Sequence, residues 1–523
     1  MSENPRHLWL AIDQGTSSTR ATLFDARGRV VNSARERVGL QRIDESRVEQ
    51  DPREILASVA SVLCTVVDDL EPQDTITAAG IATQRSSVVA FRRRDGSPLS
   101  PVLSWQDTRQ RSVIEKMTSE DAREVHVRTG LPLTPHYGAS KIEWLLTQSP
   151  KVQALIKQDG PDELCVAPLV TFLIHHLVAR GPTVVDHANA GRTQLMRLET
   201  LEWDDWLLDK FGILAEFKVV LPEIVPTSHR IGTLNPLIGD VAPAHVRSAK
   251  LGKLESVPLV VSQGDQTAAF YGFNGGEGRS STASQRVQVN LGTGGFVLAE
   301  WPVSTADKSR PEGLLCSVAK STDKGIAFVL EGTVNGAGAA ITWAMKELGI
   351  SIDGPPPVDE WFASAAGVIE SDEMPLFLNT VGGVGSPLWK TGRSATWVDQ
   401  SGTEIQPDPN VAMAAVVESI LFLVRLNLDT MRSSGLEVGW IGVSGGLAKS
   451  GEACQSLASL TECKVSRSDV PEATSKGVAL LAAEVQGLCG DWDVVRAENF
   501  QPDESKNPLT QRYDTFIQLM LKL

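Results

Sequence analysis

Apolar runs closed by short polar turns set the rhythm of this chain. Residues 8–12 (LWLAI) are continuously apolar and stop at Asp13; Gly, Thr and Ser follow, and apolar positions return at Ala21-Thr22-Leu23-Phe24. A turn around Gly28 leads into a third run over 30–38. This pattern predicts strand, tight turn, strand. About halfway along, Val287, Val289 and Leu291 alternate with polar residues, Gly292-Thr293-Gly294-Gly295 interrupts them, and Phe296-Val297-Leu298 follows. Two such hairpins predict two related domains. Elsewhere the spacing turns helical. Asp51-Pro52 reads as N-cap and first helical residue ahead of Ile55, Val59, Val62, Leu63 and Val66. Residues 78–83, 88–91, 257–262 and 441–444 read as further strands, and 138–146, 203–211, 336–340 and 412–428 as helices. Residues 186–193 read as a polar loop, 263–266 as a turn, 382–392 as a Gly/Pro-rich loop and 273–284 as a Gly/Ser-rich linker. Alternating strands and helices give an α/β fold.

Composition narrows the class. The 523 residues suit two or three domains, with 42% hydrophobic and 22% charged content typical of a globular chain. A net charge of −15 and a pI near 5.1 argue against nucleic acid and anionic membranes as partners. The longest apolar stretch noted, 169–179, is short for a membrane span and is interrupted by His175-His176, a pair assigned to a packed helix. Arg6 and His7 lead straight into a strand with no apolar signal region, and the six cysteines lack CxxC or zinc spacing. A cytoplasmic protein with reduced, buried thiols is expected.

The turns carry the candidate chemistry. Gly15 lets backbone approach a ligand, while Thr16, Ser17, Ser18 and Thr19 offer hydroxyls and N–H groups that suit phosphate oxygens. Asp13 beside them suits a hydrated Mg²⁺. Neither hairpin is a Walker loop, so a nucleotide would lie between hairpins rather than on a helix N-terminus. Arg85, and the Trp105 that opens WQDTR, sit at strand ends, where α/β proteins place ligand chemistry. Arg85 could equally pair with a surface carboxylate. Asp265 in GDQ reads as a general base, a metal ligand or a helix N-cap, and spacing leaves the three open.

Ten blocks stand in one order: IDQGTSSTRATLFD, GIATQR, SWQDTR, KIEWLL, VDHANAGRTQL, GDQTAAFYG, NLGTGGF, EGTVNGAGAAITW, VGSPLW and SGGLAKS. In this the sequence resembles the FGGY carbohydrate kinases, most closely their glycerol kinase branch. The resemblance implies two actin/hexokinase-like (ribonuclease H-like) domains, residues 1–272 and 273–523, with a cleft for ATP and Mg²⁺. It implies transfer of the γ-phosphoryl group to a hydroxyl of a small polyol or sugar. Asp265 would be the general base and Gln266 a substrate contact; Arg85, Ser86, Trp105 and His136 would line the acceptor pocket. Asp13, with Asp265, would hold the metal. Thr16, Ser17, Ser18 and Arg20 would meet the terminal phosphates from one domain, Gly292 and Thr293 from the other, with Gly445 and Gly446 towards adenine and ribose. A homodimer or a homotetramer is open as the assembly.

Departures from the family pattern fall in the acceptor pocket. Glycerol kinases usually follow the pocket arginine with glutamate, and here it is Ser86. Their tyrosine five residues before the family lysine is His136, with Tyr137 one place on. The sugar-bisphosphate loop GGKGGTR is missing, residues 235–255 differ in length and composition, and GGLAKS is closer to xylulokinase-type members. The expectation is therefore a glycerol-kinase-like enzyme or, alternatively, a four- or five-carbon polyol or ketose kinase. A non-catalytic nucleotide-dependent regulator and an actin-type clamp remain as other classes.

Overall fold

The computed structural model of the chain describes residues 6–235, 238, 249–274, 285–301, 310–352, 354–369, 374–390, 392, 394–468, 472–487, 492, 497–503 and 507–523. Its frame is the same five-strand arrangement built twice. In the first, β1 (His7–Gln14), β2 (Ser18–Phe24) and β3 (Val30–Arg37) form an antiparallel meander. Helix α1 (Pro52–Asp68) then crosses the sheet, and β4 (Thr75–Thr83) and β5 (Pro258–Gly264) add on the other side of β1, parallel to it. Helix α2 (Asp265–Asn274) follows β5 directly. In the second copy, β6 (Gln285–Leu291), β7 (Gly295–Trp301) and β8 (Gly325–Val334) are antiparallel. Helices α3 (Gly338–Glu347) and α4 (Pro409–Ser433) come next, and then β9 (Val438–Ser444) and β10 (Lys464–Ser468) extend the sheet parallel to β6. Helix α5 (Ala473–Val485) returns to pack on the first sheet. This is the two-domain α/β fold that the sequence implies.

Local chemistry explains the elements that position the cleft. The Asp51 side chain accepts the Arg53 N–H and Pro52 opens α1, whose Ile55, Val59, Leu63 and Val66 are fully buried. Each such side chain contributes about 1.5–3 kcal/mol by leaving water. Helices α2 and α5 cross so closely that a Cβ on Gly272 or Gly477 would strike the other helix's backbone. Glycine at both crossing points thus fixes the direction in which Asp265 leaves the sheet.

Several expectations need correction. The loop over 186–193 holds the helix His187–Gly191, because the Asp186 side chain caps it by accepting from the Asn189 N–H. The helix expected over 203–211 is only Asp205–Lys210, capped by Asp204, with Trp203 on a short strand. The turn expected at 263–266 is absent: β5 runs through Gly264 and α2 starts at Asp265. The expected linker begins inside α2, and from residue 275 it lies outside the described residues. Among the described residues the longest apolar segment is α4 rather than 169–179; α4 is long and apolar enough to cross a membrane, yet it is mostly buried, packed on the helices Val358–Ile369 and Gly451–Thr461 as well as on β7 and β8. Its polar Glu418 and Asn427 are paired inside the protein, Glu418 Oε2 with Arg512 and Asn427 with Ser386. His175 and His176 do sit in a packed helix, against Phe91 and Phe172. Cys64, Cys165, Cys316, Cys454 and Cys463 are buried, whereas Cys489 lies outside the described residues.

Candidate active site

The first hairpin ends in a turn closed by the Gly15 N–H to Ser18 O at 2.9 Å. Beneath it lie three buried glutamines. Gln84 Nε2 donates to Gln14 Oε1 (3.2 Å) and Gln50 Oε1 (2.9 Å), and Gln50 Nε2 donates to Thr16 O (2.9 Å). Buried amides are costly unless paired, so the network holds the turn in one shape. It continues outward, because Ser87 Oγ donates to Gln84 Oε1 and accepts the Trp105 N–H at 3.0 Å. The Trp105 indole N–H in turn donates to Thr16 Oγ1 at 3.0 Å. An expected acceptor residue and an expected phosphate residue are therefore directly linked.

Charge gathers around this turn. The Asp13 carboxyl is pushed up to about 7, first by withdrawal from water and then by the Asp265 carboxylate, with Arg20 and Arg35 opposing. Arg20 pairs with Glu472 at the start of α5. Besides Thr16, two of the turn's hydroxyls are already engaged. Ser18 Oγ accepts from Arg35 Nε at 3.0 Å, and Thr19 Oγ1 points into the core against Ser58 Oγ at 2.6 Å, away from the turn surface expected for it. Ser17 is exposed.

The second hairpin turn is built from backbone. Gly292 N–H donates to Gly294 O (3.0 Å), while the carbonyls of Gly292 and Thr293 accept the first N–H groups of α3 from Gly338 and Ala339 (2.9 Å each). Gly445 adopts φ +96°, and its backbone lies against Leu291; Gly446 beside it is exposed. So Gly292, Thr293, Gly445 and Gly446 follow the ends of the neighbouring parallel strands β6 and β9, at one end of the second sheet.

Arg85 stands between the two halves. Its stem lies on Gly264, where a Cβ would come within 2.7 Å of Arg85 Cδ. Nη1 and Nη2 reach Glu331 Oε2 and Oε1 at 2.8 and 3.3 Å, and Nε faces Asp265 Oδ1 at 3.5 Å. Glu331 comes from β8 and also receives Arg192. Although burial raises a carboxyl, Arg192 and Arg85 together bring Glu331 down to about 2. Asp265 is raised, first by burial, with Arg85 opposing and Glu331 adding to the rise. Its Oδ1 also accepts the Gln266 N–H at 2.7 Å. Tyr137 is buried among Arg192, Glu331 and Arg85, and burial lifts its hydroxyl to about 12. Sequence reasoning assigned no role to Glu331 or Arg192, although EGTVNG and GRTQL were among the ten blocks; Arg35 gave no signal.

The acceptor rim is pinned from below. Ser86 takes a left-handed φ of 65°, and buried Lys141 donates to the carbonyls of Ser86 (3.3 Å), Tyr137 (3.3 Å) and His136. Burial lowers the Lys141 ammonium to about 7. His136 is exposed, with Nδ1 3.3 Å from Trp105 O. The structure thus collects Asp13, Thr16, Arg20, Arg85, Ser86, Trp105, His136 and Asp265 on one side of the cleft. Among the described residues no hydrogen bond joins the two hairpin turns directly, and the Arg85–Glu331 pair connects the sides. A separate cavity of ≈ 1110 Å³ beside Trp343, Trp397 and Gly382 contains none of these residues.

Among the described residues no three metal-ligating side chains cluster. Asp13, whose proton affinity the Asp265 carboxylate raises, nevertheless fits a divalent cation whose other ligands are phosphate oxygens and water.

Comparison with known proteins follows the same lines. Residues 8–272 match the FGGY family of carbohydrate kinases, N-terminal domain, and residues 287–484 match its C-terminal domain. Glycerol kinase from Plasmodium falciparum, solved with ADP, superposes with a TM-score of 0.83 at 23% identity, covering 100% of this chain and 99% of that one. Gluconate kinase from Lactobacillus acidophilus gives 0.81 at 20% identity, covering 99% and 97%. Xylulose kinase from Rhodospirillum rubrum gives 0.79 at 20% identity, covering 98% of each chain. At such identities the likeness shows the fold.

Proposed function

The chain belongs to the FGGY family of carbohydrate kinases, ATP-dependent phosphotransferases with an alcohol group as acceptor, and from that premise we propose that its acceptor is a four- or five-carbon polyol or ketose in preference to glycerol. The observation that carries this is the fate of carboxylates in the pocket. Position 86 supplies a short neutral serine, and the Glu331 carboxylate already spends its oxygens on Arg85 and Arg192. A charge-assisted hydrogen bond to a polyol hydroxyl is worth roughly 1.5–3 kcal/mol. Glycerol should therefore lose about one to two orders of magnitude in specificity constant per missing bond. A serine takes up less space than the glutamate usual there, and exposed His136, held by the same Lys141 as Ser86, would offer a partner to the further hydroxyl of a longer chain. Relatives of the same fold bear the names glycerol, gluconate and xylulose kinase, so the fold accommodates acceptors of different length.

In this reading Asp265 takes the proton of the attacking hydroxyl, and its raised proton affinity suits that task. Arg85 and Gln266 orient the reacting end, and Trp105 covers the entrance while holding Thr16 in place. Arg20 and the N–H groups of both turns meet phosphate oxygens. A Mg²⁺ held by Asp13, with Asp265 close by, would neutralise phosphate charge. Steady-state assays of ADP release across three- to six-carbon polyols, ketoses and aldonates test the acceptor. The expected result is a four- or five-carbon polyol or ketose with the highest kcat/KM; glycerol as the best acceptor would overturn it.

A further inference from the structure

The Arg85–Glu331 contact joins residues 246 positions apart, from different domains, and both partners are nearly buried, with side chains 10% and 2% exposed. Its geometry is restrictive. The stem of Arg85 is fixed by Gly264, and two of its three nitrogens are taken by both oxygens of Glu331. Only the Nε edge is left facing Asp265. Among the described residues of the second domain, Glu331 is the one bonded to the guanidinium, and without it the fork could turn onto Asp265. A bidentate pair there would consume the carboxylate that must accept a proton. Arg192, itself 4% exposed, donates to the same Glu331 Oε2 that Arg85 Nη1 uses, and its Nε has no partner among the described residues.

We propose that Glu331 is a positioning residue of the acceptor site: supplied by the second domain, it holds Arg85 in an orientation that leaves Asp265 free, so the pocket is complete only when the two domains meet. This rests on the kinase reading above. It gives closure of the cleft a chemical consequence, because the acceptor arginine is set by the same domain that carries the second phosphate turn.

The test is Glu331→Gln, assayed per functional ATP site, with ATP binding counted by titration and folding followed by Tm. The expected result is an acceptor kcat/KM lower by roughly tenfold or more, with ATP affinity within about twofold of wild type. A residue that merely supports the fold would lower Tm and the number of ATP sites while leaving kcat/KM per site within about threefold of wild type, and that outcome overturns the proposal. Should Glu331→Gln fail to fold with two unpaired arginines, the charge-balanced Arg192→Gln/Glu331→Gln variant carries the measurement against Arg192→Gln alone. A further loss of about tenfold on adding Glu331→Gln supports action through Arg85, and no further loss overturns it. A wild type that phosphorylates no acceptor overturns the kinase reading and this inference together, whereas an active wild type beside an indifferent Glu331→Gln overturns only the latter.

Discussion

The two hairpins share a topology and differ in chemistry. Each lies at the centre of its sheet, with an antiparallel meander on one side and parallel strands on the other. The first turn is surrounded by charge: Asp13, Arg20 and Arg35 interact across it, and side chains from three segments hold it. The second turn has no such charges in its bonding and is stapled to α3 through its own carbonyls. In the proposed reading, a duplicated frame would present the nucleotide with one electrostatic jaw and one made of backbone. The difference teaches where each jaw is vulnerable: the first to loss of a side chain, the second to gain of one.

The strongest way to break the comparison is to remove a side chain from each turn. Asp13→Ala should lower kcat/KM for ATP by about 10²–10³ and change its Mg²⁺ dependence, while Thr293→Ala should stay within about fivefold. Equal losses in steady-state assays would dissolve the distinction. Adding bulk reverses the order. A Cβ on Gly338 would sit 2.7 Å from Gly292 O, so Gly338→Val should push the second turn aside. An ATP KM raised about tenfold with an unchanged acceptor KM is expected, and an unchanged ATP KM would show that the turn has room to adjust. The smallest effect belongs to Ser18. Its hydroxyl is engaged by Arg35, so Ser18→Ala should alter ATP KM by less than about twofold; a larger change would mean that the serine meets phosphate directly.

The sequence made local features readable and long-range ones not. The hairpins, the Asp51-Pro52 start of α1 and the strand leading to Asp265 follow from residue order within about ten positions. Thr19 was misread because a turn's polar letters do not reveal which hydroxyl faces inward, and period two sends Thr19 to α1. The 186–193 loop was misread because its capping aspartate is also a strand end. Glu331, Arg192 and the glutamine network act across separations of 246, 139 and 70 residues, which periodicity cannot register. The resemblance carried Arg85 and Asp265 to the site, but it did not say what holds Arg85 there. That comes from packing.

The central claim is that both jaws hold the nucleotide while Asp265, set between Arg85 and the first turn, performs the proton chemistry. Asp265→Asn keeps the shape and removes the proton acceptor. Titration of ATP binding, paired with the rate of phosphoryl transfer at saturating acceptor, measures the two roles in one variant. The account predicts ATP affinity within about threefold of wild type and transfer lower by about 10²–10⁴. Transfer close to wild type, or a loss of ATP binding as large as the loss of transfer, would contradict it.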